Sequence, residues 1–211
     1  MLLSLAYCPP IEYIALIARD MVLRPEAVVP SEVTIDLCES FTKQTYRNRC
    51  LVLGPSGVQT LQVPVVHRRG IPISEAEVDY STPWVAKTLK TVDTAYYSSP
   101  WYEYYRDDYA AILESRPGRL AALDIALLKF FLGRTGVSAD IAYTDTYIPA
   151  GQVPDDFRGA VHPKRPNTIL ADMGLGKPYS QVFGPGFTPG LSVMDLLFNE
   201  GPDSILFLKG L

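Results

Sequence analysis

The first thirty residues constrain the fold more than any other part of the chain. Leu2-Leu-Ser-Leu-Ala-Tyr7 reads as a short buried strand. Pro9-Pro10 ends it, and Pro10 suits the first turn of a helix. The helix predicted from Ile11 to Asp20 places Ile14, Ile17 and Ala18 on one face. Met21–Leu23 and Val28-Val29 then read as extended. Strand, helix and strand in this order make a parallel crossover, which commits the chain to the α/β class. The loop after the first strand then lies at a sheet end where ligands bind, with Tyr7, Cys8, Glu12 and Tyr13 beside it.

The remainder is consistent with that start. Glu32–Leu37 alternates polar and apolar residues and reads as a strand. Cys50–Leu53 and Val58–Val66 flank Gly54-Pro-Ser-Gly57, a hairpin and its turn, with Pro64 marking an edge or a strand end. Thr82-Pro83-Trp84 and Ser99-Pro100-Trp101 each read as an N-cap followed by proline at the first helical position. A third helix, about Gly118–Leu132, carries Leu120, Leu123, Leu127, Leu128 and Phe131 on one stripe. Asp124 falls next to that stripe, so its carboxylate is expected to be paired or at the rim. Val137–Tyr143 reads as a strand returning to the sheet. From Thr144 to about residue 190, proline and glycine punctuate a long irregular stretch. Ser192-Val-Met-Asp195 is a capping-box pattern before Leu196-Leu-Phe198, and Gly201-Pro-Asp203 opens a last short helix. The expectation is one α/β domain over 1–211. It has a mixed β-sheet with crossover helices, a helical segment at about 82–134, a loop-rich part at about 144–190 and an irregular C-terminal part.

Charge and cysteine content narrow the partners. The net charge of −4 argues against nucleic acid, which needs a basic surface. Three cysteines at irregular spacing (Cys8, Cys38, Cys50) form neither a disulfide framework nor a zinc motif, and the two histidines lie far apart. No metal and no cofactor is expected. Gly174-Leu-Gly176-Lys177 is too short for a phosphate loop. The N-terminus lacks the positive region of a signal peptide and no apolar run is long enough to span a bilayer, so the protein reads as cytoplasmic.

One polar cluster stands out: Glu39-Ser-Phe-Thr-Lys-Gln-Thr-Tyr-Arg-Asn-Arg49. Lys43, Arg47 and Arg49 are suited to a phosphate or carboxylate, and share a face if the segment is extended. The bland alternative is a solvated strand edge with Glu39 as the ion-pair partner. Gln44 and Asn48 suit sugar hydroxyls, or a turn cap in the case of Asn48. Tyr46 and Tyr13 offer an aromatic face with a polar tip. For proton transfer the candidates are His67, Glu12 and Glu39. Cys8 has no evident base partner and reads as a buried structural thiol, and Asp195 as a helix cap. The ligand indicated is an anionic small molecule such as a sugar phosphate or nucleotide sugar. Oligomeric state is not indicated.

Several phrases carry a family resemblance when taken in order. They are Tyr7-Cys-Pro-Pro-Ile-Glu-Tyr13, Lys43-Gln-Thr-Tyr-Arg-Asn-Arg49-Cys50, Leu61-Gln-Val-Pro-Val65, Val78-Asp-Tyr-Ser-Thr-Pro-Trp84, Ala95-Tyr-Tyr-Ser-Ser-Pro100, Tyr179-Ser-Gln181 and Leu191–Pro202. Together they resemble the WbqC-like protein family, whose members occur in bacterial O-antigen and surface-polysaccharide clusters. The resemblance implies a glycan-modifying transferase, moving an amino acid or acyl group to an amino sugar or nucleotide sugar. It puts Lys43, Asn48 and Arg49 first among the ligand-binding residues, with Gln181 in the same set. Two departures stand out: no histidine follows Trp84 within Lys87-Thr-Leu89, and Gly190 stands where asparagine is common in the family. The rival reading is a non-catalytic binding or assembly protein whose Tyr- and Pro-rich loops at 144–190 form a partner surface.

Overall fold

A computed structural model of the chain describes residues 1–23, 30–66, 70–175 and 177–211. Strand β1 (Leu2–Ser4) is half the length of its apolar run. Beyond Ser4 the backbone bonds elsewhere: Tyr13 Oη donates to the Ser4 carbonyl at 2.8 Å, and the Tyr7 amide donates to the Tyr46 carbonyl at 2.8 Å. Cys8 then adopts φ +39°, a left-handed conformation uncommon for a residue with a side chain, and turns the chain into Pro9-Pro10.

Helix α1 spans Ile11–Leu23. Met21–Leu23 is therefore helical, which corrects the extended reading; Val28-Val29 lie outside the described residues. Pro25 is the first proline after Pro10, and helices end at or before the residue preceding a proline. The first eight residues of α1 are buried on every side. That is the signature of a helix inside a core rather than on its surface.

Strand β2 (Ser31–Asp36) follows, then the hairpin of β3 (Arg49–Gly54) and β4 (Gly57–Gln62). The helical segment comprises α2 (Trp84–Tyr96), α3 (Tyr102–Glu114) and α4 (Leu120–Thr135). The expected caps are corrected here. Neither Thr82 nor Ser99 caps by its side chain, and the helices begin at Trp84 and Tyr102, beyond each proline. Instead, backbone turns bring the chain in, with the Trp84 amide on the Thr82 carbonyl and Tyr102 on Ser99. Gly136, at φ +74°, closes α4 in the left-handed conformation that glycine adopts freely.

Strand β5 (Ala139–Tyr143) completes a parallel sheet of order β1-β2-β5, with Leu3 opposite Ile35 and Val33 opposite Ile141. The returning strand is present, and the parallel crossover from β1 through α1 runs to β2 rather than to Met21–Leu23. Parallel and antiparallel pairing both occur, but in two separate sheets, because β3 and β4 pair only with each other.

Asp124 departs from expectation. It is neither paired nor at the rim: it is fully buried, and neither carboxylate oxygen has a partner among the described residues. α3 and the C-terminal helix Val193–Glu200 both pack against α4, which leaves little of its surface open to solvent.

Between residues 144 and 190 the described regular structure is one turn of helix, α5 (Ile169–Asp172). The stretch is nevertheless anchored. Leu2 exchanges backbone hydrogen bonds with Asp155 and Phe157, both at 2.9 Å, which lays 155–157 along the outer edge of β1. Arg158 donates to buried Asp36 at 2.5 Å, to Asp156 at 2.6 Å and to the Ile148 carbonyl at 2.8 Å. Helices α6 (Val193–Glu200) and α7 (Ser204–Leu208) close the chain. Ser192 caps α6 by accepting from the Met194 amide, but Asp195 does not reach back, because the Ser192 amide is already bonded to the Leu51 carbonyl. Among the described residues no helix is long and apolar enough to cross a membrane.

Candidate functional site

The segment 37–48 arches from the end of β2 to the start of β3, and it does not run extended as the shared-face argument needs. Residues 43–47 form turns, and Gln44 takes φ +62°. Lys43, Arg47 and Arg49 therefore do not line up as on a strand.

Arg47 turns inward. Its Nε donates to Glu39 Oε1 at 2.9 Å and one terminal nitrogen reaches Glu39 Oε2 at 2.5 Å. Ser4 Oγ donates to the same Oε2 at 2.9 Å and accepts from Arg47 at 3.1 Å. This bidentate pair is partly buried and closed on itself. Glu39 is further held by its own amide bonding to Asp36 Oδ1 at 3.1 Å.

Arg49 is placed differently. One terminal nitrogen donates to the Gln44 carbonyl, while its Nε is buried without a partner among the described residues. The Gln44 side chain in turn accepts from Lys164, from a segment far along the chain. That segment also brings in His162, whose Nδ1 accepts from the Lys164 amide at 3.1 Å. Burial lowers the His162 pKa first, and the cations Arg165, Lys164, Arg47 and Arg49 lower it further. The imidazole is therefore neutral at neutral pH, and with Nδ1 accepting from the Lys164 amide its Nε2–H is left as a donor.

Ser4, Pro10, Tyr13, Tyr46, Arg47 and His162 enclose a cavity of about 30 Å³. That is the share of roughly one water molecule. Lys43, Gln44 and Lys164 are exposed. Tyr13 is buried and its hydroxyl donates to the Ser4 carbonyl. Burial raises the Tyr46 pKa to about 12, the nearby Glu12 charge adds to it, and Arg49 opposes it.

Glu12, on the first turn of α1, is 8 % exposed, and its Oε2 has no partner among the described residues. Burial raises its pKa. Its Oε1 lies 4.0 Å from where a Cβ on Gly190 would stand.

The other predicted residues fall elsewhere. Asn48 is buried just before the hairpin and donates to the Val63 carbonyl at 2.9 Å, with no partner for Oδ1 among the described residues. Gln181 is bound at both ends of its amide, to Thr188 N and O and to Asp195 Oδ2 at 2.8 Å. Tyr179 donates to the same Asp195 oxygen at 2.6 Å. Burial raises the Asp195 pKa against those two hydrogen bonds. This network ties the 179–188 loop to α6, apart from the Arg49 cluster. His67 lies outside the described residues. Among the described residues no group of His, Cys, Asp or Glu is placed to hold a metal.

The model of the WbqC-like protein family matches residues 6–157. The chain belongs to the WbqC-like protein family. No curated protein and no solved structure matches it. Within this WbqC-like chain the matched span holds Glu12, Tyr13 and the whole Glu39–Arg49 arch. His162, Lys164 and Gln181 lie beyond it. The sequence reading missed His162 and Lys164. Their only signal was a histidine next to a Pro-Lys-Arg run in a loop-rich stretch.

Proposed function

We propose that this WbqC-like protein is a transferase that acts on an anionic sugar derivative, moving an amino-acid or acyl group onto an amino sugar or nucleotide sugar. The observation that carries the reading is a pair of buried groups of opposite character without a partner among the described residues, Arg49 Nε and Glu12 Oε2, both near enough to Tyr46 to act on its hydroxyl. Buried groups are normally satisfied, and exceptions mark sites completed by a ligand. In this reading Arg49, Lys164 and Lys43 hold a phosphate of the sugar nucleotide. Glu12, whose pKa burial raises, takes the proton from the attacking amine or hydroxyl as the new acyl bond forms and the donor's leaving group departs. Glu39, closed on Arg47, shapes the site and does not move protons.

Thermal-shift measurements against nucleotide sugars test this. A stabilising compound is expected, and Arg49→Ala should abolish the shift while leaving the apo melting temperature unchanged. Glu12→Gln should retain the shift and lose turnover. Absence of stabilisation by any nucleotide sugar overturns the reading, and a drop in apo stability for Arg49→Ala would make Arg49 structural.

A further inference from the structure

The free edge of β4 forms a second site, unconnected with the arch. The pairing register shows which main-chain groups face outward. Gly54 pairs with Gly57 across the two-residue turn, and the Val63 amide bonds to the Asn48 carbonyl. Both belong to the hydrogen-bonded set, so Cys50–Leu61 and Val52–Gln59 do too, since such pairs alternate. The amides and carbonyls of Val58, Thr60 and Gln62 therefore point away from β3. On the hairpin's other edge the same phase is visible directly, where the Leu51 carbonyl accepts from Ser192. Among the described residues no hydrogen bond reaches the outward groups of β4.

A groove of about 690 Å³ runs along this edge, with the first turns of α2 as its far wall. It touches Gln59, Thr60, Leu61 and Gln62 in succession, which only the edge of a strand allows, since successive side chains alternate faces. The volume is in the range of ligand clefts. On the helix wall Trp84 is 6 % exposed, and its Nε1–H has no partner among the described residues. Among the described residues Lys87 is the one charged residue lining the groove.

We propose that this groove binds an extended acidic peptide, which adds as a strand to β4. Outward carbonyls alternating with outward amides call for a ligand that carries both donors and acceptors at strand spacing, which is a peptide backbone. Lys87 and the N-terminal end of α2 favour carboxylates in its side chains. A second copy of β4 answers this wall less well, because Gly57-Val-Gln-Thr-Leu-Gln62 has no carboxylate for Lys87. Edge strands are ordinarily blunted by charge, proline or a bulge, and these six residues hold no charge and no proline.

Fluorescence anisotropy with a labelled Val-Glu-Val-Thr-Val-Glu hexapeptide tests the proposal on the full chain. Saturable binding is expected, at least tenfold tighter than that of the lysine-for-glutamate counterpart. Thr60→Pro removes an outward amide that β3 does not use; it should weaken binding at least tenfold with an unchanged melting temperature. Lys87→Glu should reverse the preference for the acidic peptide. If Thr60→Pro unfolds the chain, the same peptide N-methylated at alternate residues takes its place, and equal binding by it overturns the proposal. So does a dimer of the free protein that Thr60→Pro dissociates, which would assign the edge to a second copy. Binding of an acidic oligosaccharide in the groove, with no binding of the peptide, overturns it as well.

Discussion

Glu39 and Glu12 are both nearly buried, and they have opposite surroundings. Glu39 accepts two hydrogen bonds from Arg47 and one from Ser4. Glu12 has an oxygen with no partner among the described residues, and burial raises its pKa. The first is a brace, because its charge is already neutralised within the fold. The second has capacity left for a ligand. Density of charge in a sequence thus marks where a site is built, but not which of its charges remain free. Asp124 is the limiting case, fully buried with both oxygens unpartnered among the described residues.

The largest effect expected from breaking this contrast is at Arg47. Arg47→Ala leaves Glu39 with Ser4 alone in a partly buried place, and removing one partner of such a pair costs roughly 3–5 kcal/mol. Urea unfolding measures it, and Arg47→Ala with Glu39→Gln should recover part of the loss. A single-variant loss under about 1 kcal/mol would show the pair to be no stronger than a surface ion pair.

Next is Asp124→Asn. Burial raises the Asp124 pKa, with Cys8 adding to it. A carboxyl raised on folding binds its proton more tightly in the folded state, so stability is greatest below the unfolded value and falls as pH rises toward the folded one. Asp124→Asn should therefore match wild type near pH 3 and exceed it by roughly 1–3 kcal/mol at pH 8. Denaturation at both pH values checks the sign.

Glu12→Gln follows the same rule with a smaller amplitude. A gain of about 1 kcal/mol or less at pH 8, vanishing near pH 3, is expected from chemical denaturation. The smallest effect is at Gly190, whose φ of +74° asparagine tolerates better than most residues. Gly190→Asn brings an amide to Glu12 and should lower the Glu12 pKa by about half a unit or more, read from its carboxyl carbon by NMR. An unchanged titration would mean that the new side chain points away.

The arch itself was visible in sequence as a cluster, whereas its partners were not. Lys164 meets Gln44 across 120 positions. Nothing in a Pro-Lys-Arg run says which loop it will cover. Likewise the family resemblance puts Gln181 among the ligand-binding residues, and only the fold closes both ends of its amide on Thr188 and Asp195.

Local chemistry determined much of the architecture. Pro9-Pro10 and the apolar spacing after it set the strand–helix–strand start, Gly54-Pro-Ser-Gly57 set the hairpin, and the stripe from Leu120 to Phe131 set α4. These are short-range effects of backbone sterics and side-chain period, and they act on neighbours in the chain. Tertiary structure alone decided that parallel and antiparallel strands would separate into two sheets, that Arg47 would neutralise Glu39, that Asp124 would be enclosed, and that among the described residues the outer edge of β4 would be left without a strand. Each depends on which distant surfaces meet. Burial and pairing belong to the assembled core and to no single stretch of sequence.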